Sequence, residues 1–226
     1  MPQLAVNTTV LKTLPFFSVF SDQELSGLVP NVQHRYFPRQ AFMLRAGEHG
    51  HVLYVILSGR AKIVLDNDHG REVTIATLGP TEFFGEMSLI DEKPHSASVQ
   101  ALEPCEVLGI SKTAFMSCVR NHIDAATLLL RIVVGRLREA DRKIATLALL
   151  DVHGRVARLM TEVAREVEGG WLVDTGSEEI ARMVGASREM VSRVLKEMIE
   201  HGLIRRDKRR IIVLDRQGMR LAGEIH

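Results

Sequence analysis

Apolar and polar positions follow three successive patterns along the chain, and the first of them predicts short helices. In residues 1–30 the apolar side chains recur at spacings of three to five residues, which is typical of amphipathic helices. Ser21 stands three residues before Glu24, where its hydroxyl can cap a helix. The apolar positions are Leu11, Leu14, Phe17, Phe20, Leu25 and Leu28.

From Val32 to Ile110 the pattern changes to short apolar stretches that are separated by glycines and prolines. Many short strands with this punctuation are typical of a small antiparallel barrel or jelly roll. No helical period separates the stretches, as an α/β fold would require. Stretches that predict strands include Val52–Leu57, Ala61–Leu65, Val73–Ala76 and Ala97–Ala101.

The third pattern predicts a long helix from about Lys112 to Leu150. Its apolar positions alternate between spacings of four and three residues over three heptads, which is typical of a coiled-coil seam, and we expect the seam to meet the same helix of a second chain. The alternative is a helix that lies only on its own barrel, and we assign that role to a neighbouring set, Leu128, Leu129, Ile132 and Val134. The seam positions are Ala126, Leu130, Val133, Leu137, Ala140, Ile144 and Leu147.

Another helix is expected after Leu150. Asp151 can cap its first turn, and we expect the helix to end at Gly169 and Gly170. The stretch Trp171–Asp174 then predicts a short strand.

Two helices of about eight and fifteen residues, joined at a glycine, follow this strand. Ser177 can cap the first helix, Gly185 can take the left-handed conformation at its end, and Ser187 can begin a second helix that reaches His201. This is the helix-turn-helix pattern, whose second helix presents its N-terminal side chains to the major groove. Gly202 to Asp215 predicts a β-hairpin wing. The second helix leaves a polar face outward: Arg188, Glu189, Ser192, Arg193 and Lys196.

The net charge of +1 hides an uneven distribution of basic residues. Residues 1–150 carry 15 Lys or Arg against 15 Asp or Glu, and residues 151–226 carry 14 against 13. Residues 188–210 hold eight basic and four acidic side chains. This local excess suits contact with DNA, because neutralising phosphates releases their counterions.

The composition excludes several classes of protein. Cys105 and Cys118 are the only cysteines, so a disulfide framework and a four-thiolate metal or iron–sulfur site are excluded. No apolar run reaches the ~18–20 residues that cross a bilayer, and no secretory signal is evident, so we expect a cytoplasmic protein without a membrane partner. No phosphate loop, HExxH or GxSxG pattern occurs, so we predict no enzyme, no catalytic residue and no metal site.

Four segments together resemble the CRP/FNR family, the cyclic AMP receptor protein and its relatives. They are YVILSGRAKIVL, GREVTIATLGPTEFFGEMSL, LALLDVHGRVARLM and SEEIARMVGASREMVSRVLKEMIEHGLI. The resemblance implies an α+β fold, with a cyclic-nucleotide-binding-type β-roll (jelly roll) and its N-terminal helix in residues 1–111. It further implies a long dimerisation helix in residues 112–150 and a winged helix-turn-helix DNA-binding domain in residues 151–226.

The resemblance also implies a DNA site on the second helix. Arg188, Glu189 and Arg193 match the base readers of the cyclic AMP receptor subgroup, which implies a palindrome with TGTGA-like half-sites, one for each subunit of a homodimer. Arginine can donate two hydrogen bonds to guanine, and glutamate can accept one from cytosine. Auxiliary contacts to the DNA backbone are expected from Ser187, Ser192 and Lys208, and RNA polymerase is the expected protein partner of such an activator.

The effector cassette of the family corresponds to two short segments, Gly85-Glu86-Met87-Ser88 and Pro94-His95-Ser96-Ala97. Glu86 can accept from a ribose hydroxyl, and Ser96 can donate to a phosphate. His95 stands where the family has its phosphate-pairing arginine, and histidine lacks the permanent charge of arginine. On the long helix, Ala140 and Asp141 occupy the positions that offer hydroxyls to adenine.

The sequence therefore leaves three possibilities open for the effector. Cyclic AMP is the first, and cyclic di-GMP is the second, with Arg45, Arg60, Arg71 or Arg138 as its candidate partners. The third is no small ligand at all, with control through expression level or a protein partner. The predicted function is a dimeric, sequence-specific transcription regulator under allosteric control through a hinge near Leu150–Gly154. A cyclic-nucleotide-binding module that acts on a protein partner is the alternative.

Overall fold

The computed structural model describes residues 6–66, 72–207 and 210–223. The chain divides into two compact units, with the division between Gly135 and Arg136. Across the described residues, the structure contains no helix with the length and apolar character needed to span a membrane.

The first unit is built on two four-stranded antiparallel sheets, as the strand pattern predicts. One sheet has the order β1-β8-β3-β6 and the other has the order β2-β7-β4-β5. The four predicted stretches become β3, β4, β5 and β7, whereas the remaining strands lie outside them. The strands are β1 (Val32–Phe37), β2 (Phe42–Leu44), β3 (Val52–Ser58), β4 (Ala61–Asp66), β5 (Glu72–Leu78), β6 (Phe83–Phe84), β7 (Ser98–Ala101) and β8 (Cys105–Ser111).

An aromatic cluster joins the N-terminal helices to this β-roll. The ring centroid of Phe16 lies 5.1 Å from that of Phe17, 5.8 Å from that of Phe83 and 5.9 Å from that of Phe115. The predicted cap is confirmed, because Ser21 and Glu24 form a reciprocal capping box at the start of α2. The helices are α1 (Thr8–Lys12), α2 (Asp22–Leu28), α3 (Glu86–Asp91), α4 (Lys112–Asn121) and α5 (Ile123–Leu149).

The long helical pattern forms two helices rather than one. His122 has extended backbone angles, φ −135° and ψ 103°, and separates α4 from α5. Its ring centroid lies 4.8 Å from that of Phe20. The expected single helix from Lys112 to Leu150 is therefore corrected to two helices, α4 (Lys112–Asn121) and α5 (Ile123–Leu149).

The two apolar sets on α5 have different environments. Leu129 is buried in the core of the first unit, and Leu128 and Ile132 pack against it, as predicted. Val134 does not follow that prediction, since it is 45% exposed. Among the larger side chains of the seam, the exposed fractions are 64% for Leu130, 38% for Val133, 60% for Leu137, 63% for Ile144 and 53% for Leu147.

The second unit combines helices with one antiparallel sheet of order β11-β12-β10-β9. The predicted cap of its first complete helix is confirmed, because the Asp151 side chain accepts a 2.8 Å hydrogen bond from the backbone N–H of Gly154. After the C-terminal part of α5 its elements are α6 (Val152–Val163), β9 (Arg165–Val167), β10 (Gly170–Val173), α7 (Ser177–Val184), α8 (Arg188–Glu200), β11 (Ile204–Asp207), β12 (Arg210–Val213) and α9 (Arg216–Ala222).

One expected helix end and one expected helix start in this unit are wrong. The helix α6 stops at Val163, and Gly169 and Gly170 instead lie at the β9–β10 turn, where both have positive φ angles. The N-cap of α7 is Gly176, with no side-chain cap, and Ser177 is the first helical residue. The first difference arises because Arg165–Val167 pairs with β10 instead of continuing α6, and the second is a shift of one residue at the start of α7.

Candidate functional site

The turn between α7 and α8 is fixed by backbone and side-chain hydrogen bonds. Gly185 adopts the left-handed conformation, with φ 65° and ψ 37°, which residues with a side chain rarely adopt. The backbone N–H of Ala186 donates to the carbonyl of Ala181 at 3.0 Å. Ser187 then caps α8, because its hydroxyl accepts a 3.2 Å hydrogen bond from the N–H of Met190. These contacts hold the start of α8 in a defined direction, as the helix-turn-helix pattern predicts.

One face of α8 packs into the core of the second unit, and the opposite face is exposed. The buried residues are the four that the sequence predicts: Val191, Val194, Leu195 and Met198. The predicted polar positions all lie at the surface, and most belong to the first two turns: Arg188, Glu189, Ser192, Arg193 and Lys196. The structure therefore places the candidate base readers together on one accessible face.

The arginines of the two helices differ in their surroundings. Arg182 of α7 is held by Glu178 at 3.1 Å and by Glu179 at 2.6 Å. Neither Arg188 nor Arg193 forms an ion pair with another residue in the described part of the chain. Their guanidinium donors are therefore not used in ion pairs within the described residues.

The predicted wing is present as the β11–β12 hairpin. Ile204 pairs with Val213, and Arg206 pairs with Ile211. Lys208, which we expect at the wing tip, lies outside the described residues. A shallow groove of about 280 Å³ runs between the wing and the exposed face of α8, and its lining is Ser192, Leu195, Lys196, Ile199 and Arg206.

The cassette of the first unit begins at a glycine that no other residue can replace without strain. Gly85 has φ 90°, and a Cβ atom there would lie 2.9 Å from the carbonyl oxygen of Val52. It precedes α3, whose first residue, Glu86, is buried with only 3% of its surface exposed. Met87 is exposed, so the two neighbouring candidates have opposite environments.

Ser88 and His95 are brought together beneath the loop that precedes β3. The hydroxyl of Ser88 accepts a hydrogen bond from the N–H of Gly50 at 3.1 Å and donates one to the carbonyl of Lys93 at 2.7 Å. The backbone N–H of His95 donates to the carbonyl of Glu48 at 2.8 Å. Ser96 is exposed and Ala97 is half-buried, so the two segments of the cassette meet through Ser88 and His95.

The imidazole of His95 is buried, and its burial disfavours the protonated, positively charged form. Burial lowers its pKa below the ordinary value of 6.5, against the opposing attraction of Glu48 and Glu86, and His49 adds to the lowering. An arginine at this position would keep its charge, whereas this histidine is held neutral near pH 7.

Gly50 packs against the cassette, and sequence reasoning missed this contact. A Cβ atom on Gly50 would lie 2.7 Å from Nε2 of His95 and 3.0 Å from Oγ of Ser88, and it would also overlap Cε1 of His95. The imidazole therefore occupies the space that a side chain at position 50 would need. A glycine in a loop gave no signal for this contact, because His95 is distant in sequence.

The candidate arginines for cyclic di-GMP have separate environments. The guanidinium of Arg45 lies over the ring of Phe42, 4.2 Å from its centroid. Arg60 forms an ion pair with Glu103 at 3.3 Å. Arg138 is exposed on α5, and Arg71 lies outside the described residues.

Comparison with known proteins assigns both units. Residues 34–122 match the cyclic nucleotide-binding domain, and residues 154–222 match the Crp-like helix-turn-helix domain. The CRP-like cAMP-activated global transcriptional regulator of Mycobacterium tuberculosis is 32% identical over 212 residues, which cover 91% of this chain and 95% of that protein. The cyclic AMP receptor protein of Thermus thermophilus is 34% identical over 195 residues, which cover 86% of this chain and 90% of that protein.

A solved structure gives the same result for the fold. The cyclic di-GMP-responsive global regulator CLP of Xanthomonas campestris is 28% identical, with a TM-score of 0.76, and the match covers 86% of this chain and all of that one. These relatives are transcriptional regulators, which confirms the prediction that the chain is not an enzyme. The chain belongs to the CRP/FNR family, and it is a DNA-binding transcription regulator that carries a cyclic nucleotide-binding domain.

Proposed function

We propose that this chain is a homodimeric transcription activator that binds a palindrome with TGTGA-like half-sites under the control of a nucleotide second messenger. The observation that carries this proposal is the exposed polar face at the start of α8, whose arginines form no ion pair with any described residue. In this scheme residues 1–111 sense the effector, residues 112–150 hold the dimer and residues 151–226 bind DNA. RNA polymerase is the proposed protein partner of the bound activator.

Arg188, Glu189 and Arg193 read base edges. All three are exposed in the first two turns of α8, which is the part of a recognition helix that reaches the major groove. Each arginine can donate a fork of two hydrogen bonds to guanine O6 and N7, and Glu189 can accept from cytosine N4. The wing and the helix start supply contacts to the sugar–phosphate backbone through Ser187, Ser192 and Lys208.

The exposed seam of α5 supports the dimer. Leu130, Leu137 and Ile144 are each more than half exposed in the single chain, although they repeat at heptad spacing. A second copy of α5 would cover them and place two recognition helices about 34 Å apart, one helical turn of DNA.

The effector pocket is the cassette of the first unit. Glu86 is buried beside Gly85, at the position that the family resemblance assigns to a ribose hydroxyl, while Ser96 and neighbouring N–H groups can meet a phosphate. Cyclic AMP is supported by relatives named as cAMP-activated, and cyclic di-GMP by the regulator of Xanthomonas campestris. Because burial favours the uncharged imidazole of His95, the site favours a ligand whose phosphate charge is compensated elsewhere, such as by Arg45.

Control passes through the junction of α5 and α6. Only Leu150 and Asp151 separate the two helices, and Gly154 is already packed in the first turn of α6, where a Cβ atom would lie 2.9 Å from the carbonyl oxygen of Ala222. The part of the predicted hinge that lies outside both helices is therefore Leu150–Asp151. The effector changes DNA affinity only by the difference between its affinities for the two arrangements of the dimer.

The test is fluorescence anisotropy of the full-length protein on a TGTGA-type palindrome at fixed salt, with no nucleotide, with cyclic AMP or with cyclic di-GMP. A response to cyclic AMP would select the usual ligand of the named relatives, and a response to cyclic di-GMP alone would select the larger one. Tight binding that neither nucleotide changes would favour the ligand-independent regulator. No binding to any duplex, together with nucleotide binding, would instead favour a module that acts on a protein partner.

A further inference from the structure

A large apolar side chain lies among the polar residues at the start of the recognition helix. Met190 is 45% exposed in the first turn of α8 and is absent from the apolar core of the second unit. Its backbone N–H donates to the cap, Ser187, which fixes the position of its Cα atom. Within the first two turns of α8, which the structure describes in full, Met190 is the only exposed residue with a large apolar side chain.

Helical geometry places Met190 at the border of the base-reading face. A turn of 3.6 residues separates successive side chains by about 100°, so Met190 lies roughly 60° from Arg193 around the helix axis. Val194 lies about 40° from Met190 on its other side, is 8% exposed and packs in the core, so Met190 stands between Arg193 and the buried face of α8. The side chain of Met190 thus lies beside Arg193 on the side away from Arg188.

The chemistry of the major groove offers one apolar group for such a side chain. Base edges there present donors, acceptors and the 5-methyl group of thymine, and apolar side chains contact that methyl. A thioether side chain is flexible and polarisable, so it can adapt to a methyl group at the border of the helix. No other base edge rewards an apolar contact in this way.

We propose that Met190 is a specificity-determining residue that recognises thymine, by packing its thioether side chain on the 5-methyl group next to the base pair read by Arg193. This inference rests on the proposed function, because it requires α8 to enter the major groove. It adds an apolar contact to the polar readout by Arg188, Glu189 and Arg193.

The experiment removes the thymine methyl group from one side of the contact and the thioether side chain of Met190 from the other. The wild-type protein first selects its duplex from a random-sequence pool, so the test does not depend on the TGTGA expectation. Each thymine in the half-sites is then replaced by uracil, one position at a time in both half-sites, and affinity is measured by anisotropy at fixed salt. The proteins are wild type, Met190→Ala, Met190→Leu and, as a control, Ile199→Ala, which alters another exposed apolar residue of α8.

At one position, uracil should weaken wild-type binding by about fourfold per half-site, the equivalent of one buried methyl group. Met190→Ala should bind the thymine and uracil duplexes equally at that position, whereas Met190→Leu and Ile199→Ala should keep the preference for thymine. If uracil lowers the affinity of wild type and of Met190→Ala equally at every position, or lowers neither, the inference is overturned while the proposed function stays intact. Failure of the wild type to select any duplex would overturn both.

Discussion

Removing one leucine from the exposed seam of α5 should weaken self-association by an amount that its exposure predicts. Leu137 is 60% exposed in the single chain and lies at the centre of the seam. Burying a whole leucine side chain contributes about 1.5–3 kcal/mol. Three fifths of that value, counted for both copies in a dimer, gives about 2–4 kcal/mol for Leu137→Ala. The dissociation constant of the dimer should therefore rise roughly 30-fold to 1,000-fold.

Sedimentation velocity over the nanomolar to micromolar range measures this change directly. Leu149→Ala is the matched control, because Leu149 is 62% exposed on the same helix but lies two residues beyond Leu147, the last seam position. Alanine has the highest helix propensity, so neither substitution should shorten α5, and far-ultraviolet circular dichroism checks this. If Leu137→Ala dissociates over the same concentrations as the wild type, or if Leu149→Ala weakens the dimer equally, the assignment of the seam is refuted.

Three further predictions concern the DNA face and the cassette. Arg193→Ala should weaken binding by about 1–3 kcal/mol and relax specificity at one base pair, whereas uniform weakening on all sequences in an anisotropy series would mark a phosphate contact instead. The pKa of His95 is lower in the folded chain than in the unfolded chain, so around the ordinary value of 6.5 the unfolded chain binds more protons than the folded one. The free energy of unfolding should therefore decrease from pH 7 to pH 5. Urea titrations should show a shallower decrease for His95→Gln, and an identical slope would contradict the buried neutral imidazole. Gly50→Ala should destabilise by about 1–3 kcal/mol, because its methyl group displaces that imidazole, while Gly27→Ala, where nothing lies within 4 Å, should not destabilise.

Local signals made three helix starts and the DNA face predictable. Ser21, Asp151 and Ser187 each cap a helix through a hydrogen bond that spans three residues. Gly185 has the positive φ that the short turn requires. Because recognition uses side chains on one helix, its periodicity alone separates the buried face of α8 from the exposed one.

Features that depend on distant residues could not be predicted in the same way. Neither proline nor glycine marks the break at His122, and the apolar spacing continues through it; the contact of this ring with Phe20 becomes visible only in the folded chain. Strand β1 lies within the β-rich region that begins at Val32, but three polar residues in succession, Gln33, His34 and Arg35, do not single it out as a strand. Its place in the sheet depends on pairing with β8, about 70 residues later, rather than on its own pattern.

The cassette combines both kinds of information, and this explains why its effector is harder to read than its DNA site. Sequence position identifies His95 as the residue in place of the family's arginine, but the burial that lowers its pKa and the packing of its ring against Gly50 are visible only in the fold. Ser88 already uses its hydroxyl to hold that loop to α3 and Lys93. The negative charge of a phosphate that contacts His95 raises the pKa of the buried imidazole, so such binding takes up a proton at pH values around that raised pKa. A phosphate held by exposed donors such as Ser96 and Arg45 takes up none, so the proton balance of binding distinguishes the two arrangements whichever nucleotide is bound.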